Sequence, residues 1–473
     1  MNALTESQSP EELRAWIEAV ADVAVLDMQR GAGGGSREAW RVDAKSATGE
    51  RRTLFVRRDA GVGPVSGSPL TLAREAAVVR AVAKRGIPAS RIVAVDDEAD
   101  VVLADFIDGA GSPEDVADLI GSERQNYVIY NFVDTMARVH GLDPEDLRHE
   151  LPALPVPTTA EEHATLELDQ WEGLYAEKAT APDPILAATF TWLRRNAPTA
   201  VQRTVLVHGD CGPGNFLFDP ETDRVTALLD WEFAHFGDPA DDLAWWAFRD
   251  NGTFPDYEQA LRRWAAKTGL SVDRKAITYY GVFVLARVTV CAVRGLANAG
   301  ATIDNSVWHV LLPMMHAALA HLLADIHAVD HDSTCPDLGE SPRNEFDRIL
   351  ATLGRDLVST ITPDLKNPDA LKRARGDALL IAYLSQAHPL EAAIDQATVE
   401  DLTSVLPSRP GSATEGLQAL EIQIRESGAL SDEVLRVLCR SADREMLPWH
   451  RLGLGALGGD KAYPAAYAPN AGS

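Results

Sequence analysis

Cysteine is scarce in this chain and basic charge is outnumbered, and each shortage removes a class of function. The four cysteines among 473 residues, Cys211, Cys291, Cys335 and Cys439, are scattered without paired spacing, so no zinc knuckle, redox dithiol or disulfide framework is expected. Lysine plus arginine number 44 against 70 for aspartate plus glutamate, a net charge of −26. An excess of that size disfavours nucleic acid and anionic membrane surfaces as partners. It would suit a cationic acceptor such as an aminosugar, although acidity also serves solubility. No run is read as reaching the roughly 18 to 20 apolar residues of a membrane span. The opening MNALTESQSPEEL lacks the basic and apolar regions of a secretory signal, so a cytoplasmic location is expected. The glycine fingerprints of Walker and dinucleotide sites are missing as well.

What the chain does carry is concentrated in residues 205–230, VLVHGDCGPGNFLFDPETDRVTALLD. Val205, Leu206 and Val207 form an apolar run that stops at His208, and Gly209, Gly212, Pro213 and Gly214 then break regular structure, which places Asp210 on a tight loop. Two short β-type runs follow, Phe216 to Phe218 and Val225 to Leu229, separated by the turn formers Asp219, Pro220 and Asp223, so a hairpin is expected. Symmetric pairing about that turn sets Asn215 opposite Asp230, with side chains roughly 5 Å apart. One amide oxygen and one carboxylate at that separation can reach the same small cation at about 2.1 Å, which suits magnesium. Phosphoryl transfer needs a carboxylate to orient and deprotonate the attacking hydroxyl, and metal ligands to neutralise polyphosphate charge. Asp210 is the candidate base, Asn215 and Asp230 the candidate ligands.

Upstream, RGAGGGS precedes the β-like EAWRVDA and RTLFVRR. Glycines beside a strand can let backbone amides approach phosphates. Alternation puts Thr53, Phe55 and Arg57 on one face of the second strand and Leu54, Val56 and Arg58 on the other, making Arg57 the inward cation, with Arg58 as the alternative phosphate ligand. Ser68 and Pro69 look like the cap and first position of a helix whose apolar face carries Leu72, Ala76, Val79 and Ala83. Glu75 falls on that face, where a carboxylate is costly unless paired. A cation on the neighbouring sheet would pair it.

HGDCGPGN followed by LLDWEFAHFGDPADDLAWW resembles the aminoglycoside phosphotransferase and choline kinase group of small-molecule kinases, which share the protein-kinase-like fold. The resemblance implies Asp210 as catalytic base and Asn215 with Asp230 as Mg2+ ligands. By position, Arg57 and Glu75 match the phosphate-contacting lysine and its helix glutamate, with arginine in place of lysine. Gly34, Gly35 and Ser36 would lie on the nucleotide side, and the backbone of Ala104 to Phe106 would hydrogen-bond adenine. ATP is the implied donor, with GTP left open. Asp238 would cap the next helix, with Pro239 in its first turn, and Asp242 would brace the catalytic loop. Trp245, Trp246 and Phe248 read as core. The wording GGGSREAW and LFVRRD is similar to the branch found fused to, or alongside, acyl-CoA dehydrogenases, which implies a hydroxylated acyl metabolite, such as a hydroxyacyl-CoA, as acceptor. Antibiotic phosphorylation is the runner-up, and a catalytically silent nucleotide-binding scaffold is the reading from another class.

The fold class expected is α+β, a protein-kinase-like two-lobe fold plus a C-terminal helical domain. Residues 1–107 would form a nucleotide-binding lobe, 108–330 a mainly helical lobe with the catalytic loop and acceptor pocket, 340–455 a helical accessory domain and 456–473 a flexible tail. Ser9 and Pro10 start the first helix, with Leu13, Trp16, Ile17 and Val20 at helical spacing. His140 ends a helix and is given a structural role. His327, Asp330, His331 and Asp332 fall within six residues, but the surrounding turn formers make the segment a linker rather than a metal cluster. Ser341 and Pro342 would start a helix with Phe346, Ile349, Leu350, Leu353, Leu357 and Ile361 on one side. The helical tail resembles a small domain of unknown function that accompanies this branch, and would serve a homodimer, a partner protein or the acceptor site.

Overall fold

The computed structural model describes residues 9–31, 37–298, 306–331, 338–339, 341–454 and 462–469; Gly34, Gly35 and Ser36 lie outside the described residues. Helix α1 (Pro10–Ala21) starts as its sequence predicts. The Ser9 hydroxyl accepts from Glu12 N at 3.3 Å, and the Glu12 carboxylate accepts from Ser9 N at 2.9 Å, a reciprocal capping box with Pro10 in the first turn. Its buried Leu13, Trp16 and Ile17 cover one face of an antiparallel sheet. The strands are β1 (Val23–Arg30), β2 (Glu38–Ser46), β3 (Arg51–Arg58), β4 (Ile92–Asp96) and β5 (Val101–Asp105), in the spatial order β1-β2-β3-β5-β4.

Alternation along β3 divides its residues as the pleat requires. Leu54 and Val56 enter the core under α1 with Val42 and Ala44, while Phe55 and Arg57 face a cavity on the other side. Helix α2 (Leu72–Lys84) closes that side, but it starts later than Ser68–Pro69. The Ser68 hydroxyl is committed to a turn, donating to Val65 O and accepting from Leu70 N. Thr71, in extended conformation, is the residue that caps, accepting from Arg74 N at 3.2 Å.

The chain continues through α3 (Pro113–Leu119), α4 (Arg124–Val139), α5 (Pro144–Leu147), α6 (Glu162–Lys178) and α7 (Pro184–Arg195). Four short strands follow, β6 (Val205–Val207), β7 (Phe216–Phe218), β8 (Val225–Leu228) and β9 (His235–Gly237); β6 pairs with β9 and β7 with β8. Helices complete the chain: α8 (Ala240–Arg249), α9 (Tyr257–Thr268), α10 (Arg274–Ala297), α11 (Ser306–Ile326), α12 (Glu345–Asp356), α13 (Pro368–Ala387), α14 (Glu391–Val405), α15 (Ala413–Ser427) and α16 (Asp432–His450). The class is α+β. Contacts group the chain differently from a linear partition. One compact unit comprises Met1–Glu167 and Pro198–Gly281, the other Leu168–Ala197 and Val282–Ser473.

Two expectations about helices are corrected. Helices α10 and α11 are long and apolar enough, by length and composition, to cross a membrane, although no such run was read from the sequence. Arg287 and Arg294 interrupt α10 and hid its overall apolarity, and 89% of its apolar stretch is buried inside the protein, as for a core helix. Helix α12 begins at Glu345 rather than Ser341, because Asn344 caps it and Asp347 returns the bond to Asn344 N at 2.7 Å. Its apolar stripe is also turned outward. Phe346, Ile349 and Leu353 are exposed while Leu350 alone of that set is buried, so α12 lies against its neighbours along a flank of the stripe.

Candidate active site

The loop after β6 is built on its glycines and one aspartate. Gly209 takes φ +84°, and a side chain there would run into Phe233 O, so only glycine fits. Asp242, on the first turn of α8, accepts from His208 N at 2.8 Å and Gly209 N at 2.9 Å, and also faces His140 Nε2 at 2.9 Å. His140 Nδ1 receives the indole N–H of Trp264 at 2.9 Å, so the imidazole proton sits on Nε2 and is donated to Asp242. Burial opposes ionisation of Asp242, yet the bonds from His140 and the loop amides outweigh it and hold the carboxyl at a pKa of about 2. The loop is thus anchored to a fixed anion, as the sequence suggested for Asp242. Asp238 caps α8 by accepting from Ala240 N at 2.8 Å, and Trp245 and Trp246 are core.

Asp210 is buried, and its carboxylate is gripped from two sides. Arg249 donates Nε to Oδ1 at 2.7 Å and Nη2 to Oδ2 at 2.5 Å, and Asn215 Nδ2 donates to Oδ2 at 2.8 Å. Burial raises the Asp210 pKa against the pull of Arg249. The aliphatic stem of Arg249 passes over Gly212, where a Cβ would meet it at 2.8 Å. Cys211, beside Asp210, is buried with its sulfur accepting from Trp246 Nε1 at 3.1 Å, and burial pushes its thiol pKa well up, so it packs rather than reacts.

The hairpin exists, but its register differs by one residue from symmetric pairing. Phe216 faces Leu228 and a bulge falls between Leu217 and Phe218, so Asn215 lies opposite Leu229, whose N donates to Asn215 O at 2.9 Å. Asp230 is the next residue, in the left-handed region at φ +64°. That turn places both side chains on the wall of one cavity of about 280 Å³. Across it stand Arg57 and Glu75. Arg57 Nη1 donates to Glu75 Oε1 at 2.5 Å, and Nη2 to Asp230 Oδ1 at 2.7 Å. Burial works against all three charges. For Asp230 it is outweighed by Arg57 and Arg249, and the pKa falls; for Glu75 it prevails over Arg57, and the pKa rises. Arg58, the alternative phosphate ligand, points elsewhere, paired with Glu38 at 2.6 Å and lying over the Trp40 ring.

The rest of the cavity is mainly apolar, with Leu72, Val79, Ile92, Val102 and Leu228 among its walls; Arg37 and Ser90 also line it, and Ala104 borders it. Phe106 does not. Its backbone N–H is donated to Thr53 O at 3.1 Å and its ring lies against Phe55 and Arg41, which removes that amide from any role toward a base in the cavity. Two residues escaped the sequence reading. Arg249 stands seven positions after Asp242, two helical turns along the same face, and that spacing could have revealed it. Glu232, two residues past Asp230, is buried; burial first and Asp230 second push its pKa up to about 8.

Residues 27–276, more than half of the chain, match the phosphotransferase enzyme family. The chain belongs to that family. This phosphotransferase is a small-molecule kinase by family, and its sheet, its Arg57–Glu75 pair and its loop-and-hairpin segment follow the two-lobe kinase plan. It is 35% identical over 124 residues to rat acyl-CoA dehydrogenase family member 11, a stretch covering 26% of this chain and 15% of that protein. With mouse acyl-CoA dehydrogenase family member 10 it shares 24% over 201 residues, 41% and 18% of the two chains. The match therefore spans less than a fifth of either relative. Among solved structures, a macrolide 2'-phosphotransferase from Brachybacterium faecium is similar at TM-score 0.43 and 18% identity, covering 62% of this chain and 94% of that one. A choline/ethanolamine kinase family protein from Mesorhizobium loti is similar at TM-score 0.44 and 20% identity, covering 65% and 93%.

Proposed function

We propose that the phosphotransferase moves the terminal phosphoryl group of ATP, with Mg2+, to a hydroxyl of a small acyl metabolite of the hydroxyacyl-CoA class. The observation that carries the nucleotide part is the meeting of Arg57, Glu75, Asn215 and Asp230 on one cavity whose other walls are mainly apolar. Because Asn215 Nδ2 is committed to Asp210, its Oδ1 is the atom left for a hard cation, and Asp230 keeps Oδ2 beside its bond to Arg57. Two oxygen donors with solvent access to one of them suit Mg2+, which retains several waters. When bound, Mg2+ would neutralise charge on the polyphosphate. Arg57, fixed by Glu75, adds a guanidinium to the same task.

Asp210 acts on the acceptor. Among the described residues, Arg249 and Asn215 both use Oδ2, whereas Oδ1 takes only Arg249 Nε, so Oδ1 retains a lone pair for an incoming hydroxyl proton. The Asp242-braced loop holds that carboxylate in place. The names of the relatives in the acyl-CoA dehydrogenase families support the acyl class.

The test is thermal stabilisation by ATP with and without Mg2+, then ADP release and product mass with hydroxyacyl-CoAs, amino alcohols and aminoglycosides. Phosphorylated hydroxyacyl-CoA is expected. Product from aminoglycosides alone would overturn the acceptor class, and nucleotide binding without turnover on any acceptor would favour a silent scaffold. Asp210→Asn should lower turnover about a hundred- to ten-thousandfold while leaving Mg2+-ATP stabilisation in place; turnover equal to wild type would remove Asp210 from the role of base.

A further inference from the structure

Helices α11 and α16 and the segment after α11 bring together three residues that share no sequence motif. His321 lies on α11, His331 just beyond it, and Cys439 on α16, and one ligand atom from each lies within 4.8 Å of the other two. The two imidazoles stack with ring centroids 4.7 Å apart. Of the histidines and acids grouped at 327–332, His327 is exposed and Asp332 lies outside the described residues, while His331 turns inward.

Hydrogen bonding arranges the set as metal sites arrange theirs. His331 Nε2 donates to Asp325 Oδ1 at 3.0 Å, and Tyr463 Oη donates to the other oxygen of that carboxylate. With Nε2 so committed, His331 Nδ1 is the lone-pair nitrogen, and it is buried without a hydrogen-bond partner among the described residues. A histidine whose far nitrogen is oriented by a carboxylate is the usual outer arrangement of a metal-bound imidazole. His321 Nε2 is likewise buried; Asp443 Oδ1 lies 2.9 Å away without the alignment of a hydrogen bond. Asp443 stands four residues after Cys439, on the same face of α16.

We propose that His321, His331 and Cys439 form a binding site for a zinc-class divalent transition ion in the C-terminal helical unit, with water completing the coordination. Two imidazoles and a thiolate are donors zinc takes, at about 2.0–2.1 Å for nitrogen and 2.3 Å for sulfur. A tetrahedron with those bonds has edges of roughly 3.3–3.8 Å, so the donors close by about 1 Å when the ion enters. Cys439 releases its thiol proton to solvent as the metal–sulfur bond forms. The ion ties α16 to α11 and to the following segment, a structural role separate from phosphoryl transfer.

The full chain, stripped with chelator under reducing conditions, is titrated with Co2+ alone and then with Zn2+ in competition. One equivalent of cobalt with a thiolate-to-cobalt charge-transfer band is expected, displaced by zinc, together with a rise in thermal midpoint. Cys439→Ser should lose the band, and Asp325→Asn, which retains every donor, should bind about 10- to 100-fold more weakly. His331→Gln, outside the helices, serves as the second variant if Cys439→Ser does not fold. Folded wild type that takes up less than one equivalent, or a band that persists in the Cys439 or His331 variant, overturns the site.

Discussion

Asp242 in the first unit and His316 in the second are both buried ionisable groups, and their partners differ in kind. Asp242 is held by two backbone amides of the loop that carries Asp210 and one imidazole. His316 is held by two side chains, Asp183 at 3.0 Å from Nε2 and Glu445 at 2.8 Å from Nδ1. Burial works against its charge, but the two carboxylates outweigh that and keep its pKa well above the ordinary range. Backbone donors cannot titrate, so the loop anchor keeps its strength over most of the pH scale. A charge held by side chains alone gives a junction of α7, α11 and α16 that depends on pH. The loop that carries Asp210 is thus held by the arrangement with fewer titrating parts.

Asp242→Asn should break this contrast most strongly. An amide offers one acceptor oxygen in place of two, so one of the His208 and Gly209 amides, or His140, loses its partner in the core. The cost should be about 3–5 kcal/mol, read as a fall in denaturant midpoint, with turnover reduced because the loop carrying Asp210 is no longer fixed. The pH dependence has a definite sign. The Asp242 pKa is depressed from 3.8 to about 2, so its contribution is complete above the unfolded value and is lost as pH falls through the folded one. Wild type should lose that stability between about pH 4 and pH 2, and the variant should not.

His316→Gln sharpens the comparison from the other side. A raised pKa means the contribution is complete below the ordinary 6.5 and is lost as pH rises through the folded value. The stability difference between wild type and variant should be about 1.5–3 kcal/mol in mild acid and should shrink on the alkaline side. Hydrogen exchange of α11 and α16 across that range would measure it. A difference independent of pH would mean that His316 is held as a neutral ring.

The same contrast explains what could be read before the structure. Residues 205–242 were legible because loop, hairpin and cap signals lie in one stretch, and Arg57 and Glu75 because two periodicities, of strand and helix, pointed to one interior. The hairpin register was not, since a single bulge after Leu217 shifts every later partner by one. Phe106 was misplaced because nothing in the sequence shows that Thr53 O takes its amide. His321, His331 and Cys439 could not be joined, as their proximity is set by how α11 packs on α16. Local chemistry is written locally; the second unit's polar contacts depend on helix packing.

Helix α12 supplies the smallest effect and the test of whether the second unit's apolar residues can be read by pattern alone. Leu350 and Leu353 occupy the same predicted stripe, yet Leu350 is 5% exposed and Leu353 52%. Leu350→Ala removes atoms packed on all sides and should cost about 2–5 kcal/mol. Leu353→Ser removes atoms already in water, so the change should stay within about 0.5 kcal/mol. Both values are read from denaturant midpoints at low protein concentration. If Leu353→Ser instead costs as much as Leu350→Ala, and does so only at high protein concentration, the outward stripe is covered by a second copy, and the apolar pattern marks an interface in place of a core.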